Sequence, residues 1–168
     1  SYRRGTGHHS ELNRKLRTGN SSVVLLRSND LRRWQKVKMF ESATGVVDGS
    51  GLADGHLCMS EKRLYIFPSN RIWAHDKKMI APTYVSWTED GVNWSEQTLT
   101  KLGNSHTTVF RARYHENRFY SAVCDPHQDD GPLILIMSDD GIHWTEHSRI
   151  AVEEKRGLCS ESDLYWYR

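Results

Sequence analysis

A seven-residue pattern, Ser/Thr-x-Asp-Gly-x-x-Trp, stands at Thr88-Glu89-Asp90-Gly91-Val92-Asn93-Trp94 and again at Ser138-Asp139-Asp140-Gly141-Ile142-His143-Trp144. Ser28-Asn29-Asp30-Leu31-Arg32-Arg33-Trp34 keeps the hydroxyl, the carboxylate and the indole but has Leu31 in place of Gly. One turn built three times at wide spacing means one supersecondary unit repeated, which constrains the architecture before any single residue is interpreted. The Asp carboxylate accepts hydrogen bonds from the backbone N–H groups that follow it, and Gly supplies a backbone with φ > 0. The Trp opens the next strand, packs its ring back over the turn and seeks an acceptor for its N–H. Each of these jobs is structural. Ser28, Asp30, Trp34, Thr88, Asp90, Gly91, Trp94, Ser138, Asp140, Gly141 and Trp144 are therefore read as turn-formers and not as active-site groups.

Between the turns the chain reads as short strands. Apolar or alternating runs at 22–27, 79–87 and 133–137 lead into the turns, and 35–39, 95–100 and 145–150 leave them. A second repeat supports the first: Glu61-Lys62-Arg63-Leu64-Tyr65 matches Glu116-Asn117-Arg118-Phe119-Tyr120. No segment has helical periodicity with start and stop signals. Each unit thus consists of strand A, a polar turn, strand B, a longer loop, strand C, the Asp turn and strand D. Four-stranded units of about 40–50 residues repeated around an axis are propeller blades. The expected fold is all-β, a propeller segment of about three four-stranded blades plus the inner strand of a fourth. A partial first blade spans 1–45, the second 46–102, the third 103–156, and a fourth starts at 157–168. In the third blade the strands fall at 106–114, 118–123, 133–137 and 143–150. The first blade lacks its inner strand, and Ser160-Glu161-Ser162-Asp163-Leu164-Tyr165-Trp166-Tyr167 reads as the inner strand of the fourth. Propellers usually close with about four to eight blades. The chain is accordingly expected to be part of a larger propeller, or to close with a second copy.

Composition narrows the function classes. A formal net charge of +2 over 168 residues, with no block of like charge, argues against nucleic acid or an anionic membrane as partner. No apolar stretch reaches transmembrane length and no cleavable signal pattern opens the chain. Six Trp and seven Tyr suit both sheet packing and sugar-stacking surfaces. Cys58, Cys124 and Cys159 are odd in number and scattered, so no disulfide framework follows.

Propeller geometry sorts the polar residues by rim. The D–A and B–C connections share one rim and the Asp turns lie at the other. His56, His106 and Glu161 fall on D–A connections or strand A starts; His8, His9, His75, Asp76, Asp125, His127, Asp129 and Asp130 fall in B–C loops. Convergence of such groups from separate blades at one mouth is the signature of a binding site, although polar loops alone produce part of it. Arg111 and Arg113 are either channel-lining guanidiniums or salt-bridged strand residues; Arg suits bidentate capture of a substrate carboxylate. No metal or other cofactor is expected: His8-His9-Ser10-Glu11 has ligand types, but adjacent histidines in an extended loop point apart and no paired metal-ligand spacing occurs.

With these turns the chain resembles the sialidase superfamily of six-bladed propellers, whose Asp boxes have the form seen at Ser28, Thr88 and Ser138. The resemblance covers about residues 2–168. The first turn is also similar to the Ser-x-Asp-Leu-x-x-Trp turn of five-bladed glycosidases, which leaves the blade number open. The resemblance implies hydrolysis of a terminal sugar such as sialic acid from a glycan, by a Tyr nucleophile activated by a Glu, an Asp acid/base and three Arg on the substrate carboxylate. It also implies a secreted or periplasmic setting. Ser160-Glu161-Ser162-Asp163-Leu164 is similar to the family's activating-Glu segment, which makes Glu161 the catalytic candidate. The family's acid/base Asp sits in an Asp-x-Gly-Asp/Asn setting; the matching stretch here is Arg17-Thr18-Gly19-Asn20, with Arg17 at the Asp position. The family's Arg-Ile-Pro segment and Tyr-bearing blade would lie outside this chain, so the resemblance implies that the chain alone lacks a full catalytic set. The alternative is a non-catalytic Asp-box propeller that binds carbohydrate or protein at its mouth.

Overall fold

The computed structural model describes residues 2–4, 21–41, 51–73, 79–80, 82–124, 133–150 and 162–167. Among them the chain is all-β, with no helix. In the first sheet β1 (Tyr2–Arg4) pairs antiparallel with β2 (Ser22–Arg27), and β2 with β3 (Gln35–Phe40). The second sheet is built from β4 (Gly51–Met59), β5 (Leu64–Trp73), β7 (Tyr84–Thr88) and β8 (Thr98–Leu99) in that order, with the short β6 (Met79–Ile80) also on β5. The third is a meander of β11 (Arg113–His115), β12 (Arg118–Cys124), β13 (Leu133–Ser138) and β14 (His143–Ile150). A two-strand ribbon, β9 (Lys101–Leu102) and β10 (Ser105–His106), extends it at the β14 edge, with β9 parallel to β14. None of the three sheets closes on itself.

Period-two burial is clearest in β13. Along β13, Ile134, Ile136 and Ser138 are buried while Leu133, Leu135 and Met137 are half-buried, the alternation that a pleated strand imposes. In β5 successive side chains divide between two cores. Ile66 joins Val23, Leu25, Phe40, Leu52 and Tyr84 between the first and second sheets. Tyr65 and Phe67 join Val85, Val109, Phe119, Ile134, Ile136 and Trp144 between the second and third. The sheets therefore stack face to face in chain order, and the second is covered on both faces. Double burial is why β5 opens on the continuous apolar run Leu-Tyr-Ile-Phe rather than on an alternating one. Gly55 permits the first contact: a Cβ there would lie 2.6 Å from Val23 Cγ1. Between the second and third sheets, the buried Thr83 hydroxyl accepts the Val109 N–H at 2.8 Å.

All three Asp turns share one hydrogen-bond set. Asp90 Oδ1 accepts the N–H of Val92 and Asn93 at 2.8 and 2.7 Å, Asp140 Oδ1 those of Ile142 and His143 at 2.7 and 2.8 Å, and Asp30 Oδ1 those of Arg32 and Arg33 at 2.9 and 2.8 Å. Ser28, Thr88 and Ser138 each donate a hydroxyl to the same oxygen at 3.0–3.1 Å. Gly91 and Gly141 have φ of 75° and 79°, and Leu31, in the eroded copy, is held at 58°. The second repeat closes on the first: Arg63 pairs with Glu89 at 2.8 Å and Arg118 with Asp139 at 3.0 Å.

Several elements differ from the sequence expectation: the third unit's first strand, expected at 106–114, is confined to 113–115, and the outgoing strand expected at 95–100 to 98–99. The strand expected at 79–87 is split into β6 and β7 with Pro82 between them, a residue that has no N–H for a ladder. The chain after Thr100 makes the β9–β10 ribbon, turning through Gly103 at φ 59°, where a direct passage into the third unit was expected. Residues 162–167 form no strand, although their alternation predicted an inner one; Asp163 and Trp166 meet the third sheet through their side chains.

Candidate functional site

The first strand of the second sheet and the approach to the first strand of the third meet at a polar cluster. A register shift between Ala53 and His56 breaks the β4–β5 ladder, and Asp54 there takes φ 50°. Beyond this bulge the His56 ring meets Phe110 edge-on, with centroids 4.7 Å apart. The Arg111 guanidinium lies 5.5 Å from the centroid of the Phe110 ring, within cation–π range. Arg111 itself is at φ 49°, so two non-glycine residues in left-handed backbone flank the cluster. Such strain persists only where the surroundings over-determine it, and it gathers at functional sites.

Arg113 grips Asp163 with its fork, Nε to Oδ1 at 2.8 Å and Nη2 to Oδ2 at 2.6 Å. Arg111 Nη1 reaches the same Oδ2 at 3.4 Å, and the Leu164 N–H donates to Oδ1 at 2.8 Å. The Arg113 fork, ahead of a smaller opposing effect of burial, holds the Asp163 carboxyl down to about 2. Three residues along, Trp166 stacks on His115 with centroids 4.7 Å apart and planes at 25°, and meets Tyr120 edge-on at 5.5 Å. Beneath, burial pushes the Cys58 thiol up to about 11 despite the nearby Arg113 charge, which makes it a packing residue and not a nucleophile. Guanidiniums, carboxylates, an aromatic face and an imidazole thus stand side by side. That combination suits a hydroxyl-rich ligand.

Of the residues singled out from the sequence, the fold brings His56 and Arg111 together and closes Arg113 as a salt-bridged strand residue. His106 is not with them. It lies in β10 opposite Lys101, which itself pairs with His143, so it stands by the third Asp turn rather than at the opposite rim. The intervening ribbon, absent from a simple four-strand unit, causes the displacement. His8, His9, Arg17, His75, Asp76, Asp125, His127, Asp129, Asp130 and Glu161 lie outside the described residues. Sequence reasoning missed Phe110 as the common neighbour of His56 and Arg111, and Asp163 as the arginines' partner. The Arg-x-Arg spacing marked one strand face, but nothing local pointed to a carboxylate some 50 residues away.

The Asp-turn carboxylates are all held below their usual range. For Asp30 the cause is the backbone N–H of Arg33 and then of Arg32; for Asp90 it is Asn93 and then Val92. At Asp140 burial pushes up, and bonds from His143, Ile142 and Ser138 outweigh it. Each is engaged by its own turn as an acceptor. Among the described residues no three metal-ligating side chains converge, and no helix is long and apolar enough to cross a membrane. No protein-family model matches the chain, and no curated protein matches it.

Proposed function

We propose that the three sheets are consecutive blades of a sialidase-like β-propeller, and that the protein acts on glycans as an exo-glycosidase that removes a terminal sugar such as sialic acid. The observation that carries this reading is the recurrence of one turn, with the same carboxylate-to-backbone bonds, at Asp30, Asp90 and Asp140. It recurs on sheets stacked in chain order, the arrangement expected of neighbouring blades. In this reading β4 and β11 are inner strands, the cluster of His56, Phe110 and Arg111 borders the mouth, and Glu161 is the activating carboxylate. The nucleophile and the rest of the substrate-binding arginines come from further blades or from a second copy of the chain.

A second reading is a non-catalytic Asp-box propeller that binds carbohydrate or protein at its mouth. Two observations favour it. Arg17 stands where the resemblance calls for the acid/base Asp, and the Arg113 fork is already filled by Asp163. An aryl sialoside assay on the full-length gene product separates the two. Turnover abolished by Glu161→Gln supports the glycosidase. Retained glycan binding with no turnover supports the module; neither turnover nor glycan binding contradicts the glycosidase and leaves the module only a protein ligand.

A further inference from the structure

We infer that Asp163 is a positioning residue that, together with Trp166, latches residues 162–167 onto the third sheet; in the sequence this anchor follows Glu161 by two residues. The role assigned to Glu161 rests on the proposed glycosidase; the latch itself does not. Residues 162–167 form no strand ladder among the described residues, and the contacts of Asp163 and Trp166 to the third sheet are made by side chains. Tyr165 and Tyr167 are 89% and 93% exposed and supply little hold. Asp163 and Trp166 make the segment's two side-chain contacts to the third sheet described above, and their receptors are matched. Arg113 and His115 are alternate residues of β11, hence on one face of the strand. Arg113 takes the Asp163 carboxylate through both nitrogens of its fork, and His115 takes the Trp166 ring. Tyr120, paired directly with Arg113 across β11 and β12, closes the second contact from the side. Arg111 adds a weaker third bond at the first point. The segment is thereby laid along the face of β11 with both register and direction specified.

Hydrogen–deuterium exchange of the peptide spanning 162–167, measured in the full chain, tests the latch. Asp163→Asn is expected to speed its exchange about three- to tenfold, the range for losing a half-exposed bidentate ion pair. Peptides from β12 and β13 should stay unchanged. Arg113→Lys, which keeps the charge and loses the fork, should give an intermediate loss. The exchanged pair Arg113→Asp with Asp163→Arg should recover protection. Unchanged exchange in Asp163→Asn, or loosening spread over the whole third sheet, would overturn the latch. On an aryl sialoside, Asp163→Asn should lower kcat while leaving KM in place; an unchanged kcat alongside faster exchange would overturn the positioning role. If the parent protein has no turnover at all, the glycosidase reading fails, and the exchange data still decide the latch.

Discussion

Trp94 stands edge-on to Phe40, ring centroids 5.4 Å apart and planes at 86°, so the ring that opens the outgoing segment of the second sheet rests on the last residue of the first. Trp144 makes the same kind of contact one sheet further on, with Phe67 at 6.3 Å and 72°. Its indole N–H donates to the Gly141 carbonyl at 3.0 Å, whereas that of Trp94 has no acceptor among the described residues. Trp34 is 55% exposed. The three Trp positions are equivalent in their turns but graded in their surroundings, because each ring depends on a preceding sheet and the described residues supply none ahead of the first.

That gradient has a measurable consequence. Phe40→Ala should cost about 3–5 kcal/mol, as for other fully buried aromatics, and Trp34→Ala less than about 1 kcal/mol. Urea denaturation of each variant checks the order. A larger loss at Trp34 would contradict the packing described.

The eroded turn is a place where stability can be added. Leu31 sits at φ 58° and its side chain is largely exposed, so it bears the left-handed strain without a packing return. Leu31→Gly should stabilise by about 0.5–1 kcal/mol. Gly141→Ala should do the reverse by about 1–2 kcal/mol, since its φ of 79° is the obstacle and the rings of Phe67, Phe119 and Tyr65 stand at ordinary contact distance from the added Cβ. Thermal midpoints moving in opposite directions confirm the assignment; a destabilised Leu31→Gly refutes it.

Acid should act on the turns and the latch together. Asp30, Asp90, Asp140 and Asp163 are all more acidic in the fold than the ordinary value, near 3.9 in an unfolded chain. A depressed carboxylate contributes stability that is complete above the unfolded pKa and lost as pH falls through the folded one. For Asp163 the window runs from about 4 down to about 2. Carboxyl carbon shifts followed by NMR should give all four apparent pKa values below about 3.9. A value above it at any of the four removes that residue from the account.

The repeated ion pairs should contribute little. Arg63–Glu89 and Arg118–Asp139 are exposed, and exposed pairs are worth about 0–1 kcal/mol. Glu89→Gln and Asp139→Asn should therefore shift stability by less than about 1 kcal/mol and weaken little further in high salt. A loss of several kcal/mol from either would mean that the pair closes the turn rather than decorating it.

Much of this architecture could be read from local chemistry. The Asp turns sit where the pattern placed them, and β2, β12, β13 and β14 begin at their expected residues because alternating apolar runs bounded by turn residues have few other solutions. The break at Pro82 was available in principle, since a missing N–H interrupts a ladder whatever the flanking residues prefer. The β9–β10 ribbon was signalled only by Gly103-Asn104, a short hairpin cue inside what reads as a connection. The candidate site was less legible. His56 could be assigned to a strand start, but its neighbour Phe110 is set by the packing of two sheets. The Asp163 carboxylate finds Arg113 through the tertiary fold alone, since no periodicity relates residues so far apart.

The claim on which the account turns is that the sheets fan radially, with β4 and β11 innermost. Electron spin distance measurements on two labelled pairs test it directly: Glu61 with Glu116, in the turns after β4 and β11, and Glu96 with Thr145, on the outgoing segments of the second and third sheets. All four positions are exposed. The account predicts a clearly shorter distance for the inner pair than for the outer. Equal distances, as in sheets stacked like the layers of a sandwich, or a longer inner distance, would contradict the propeller and the placement of the mouth.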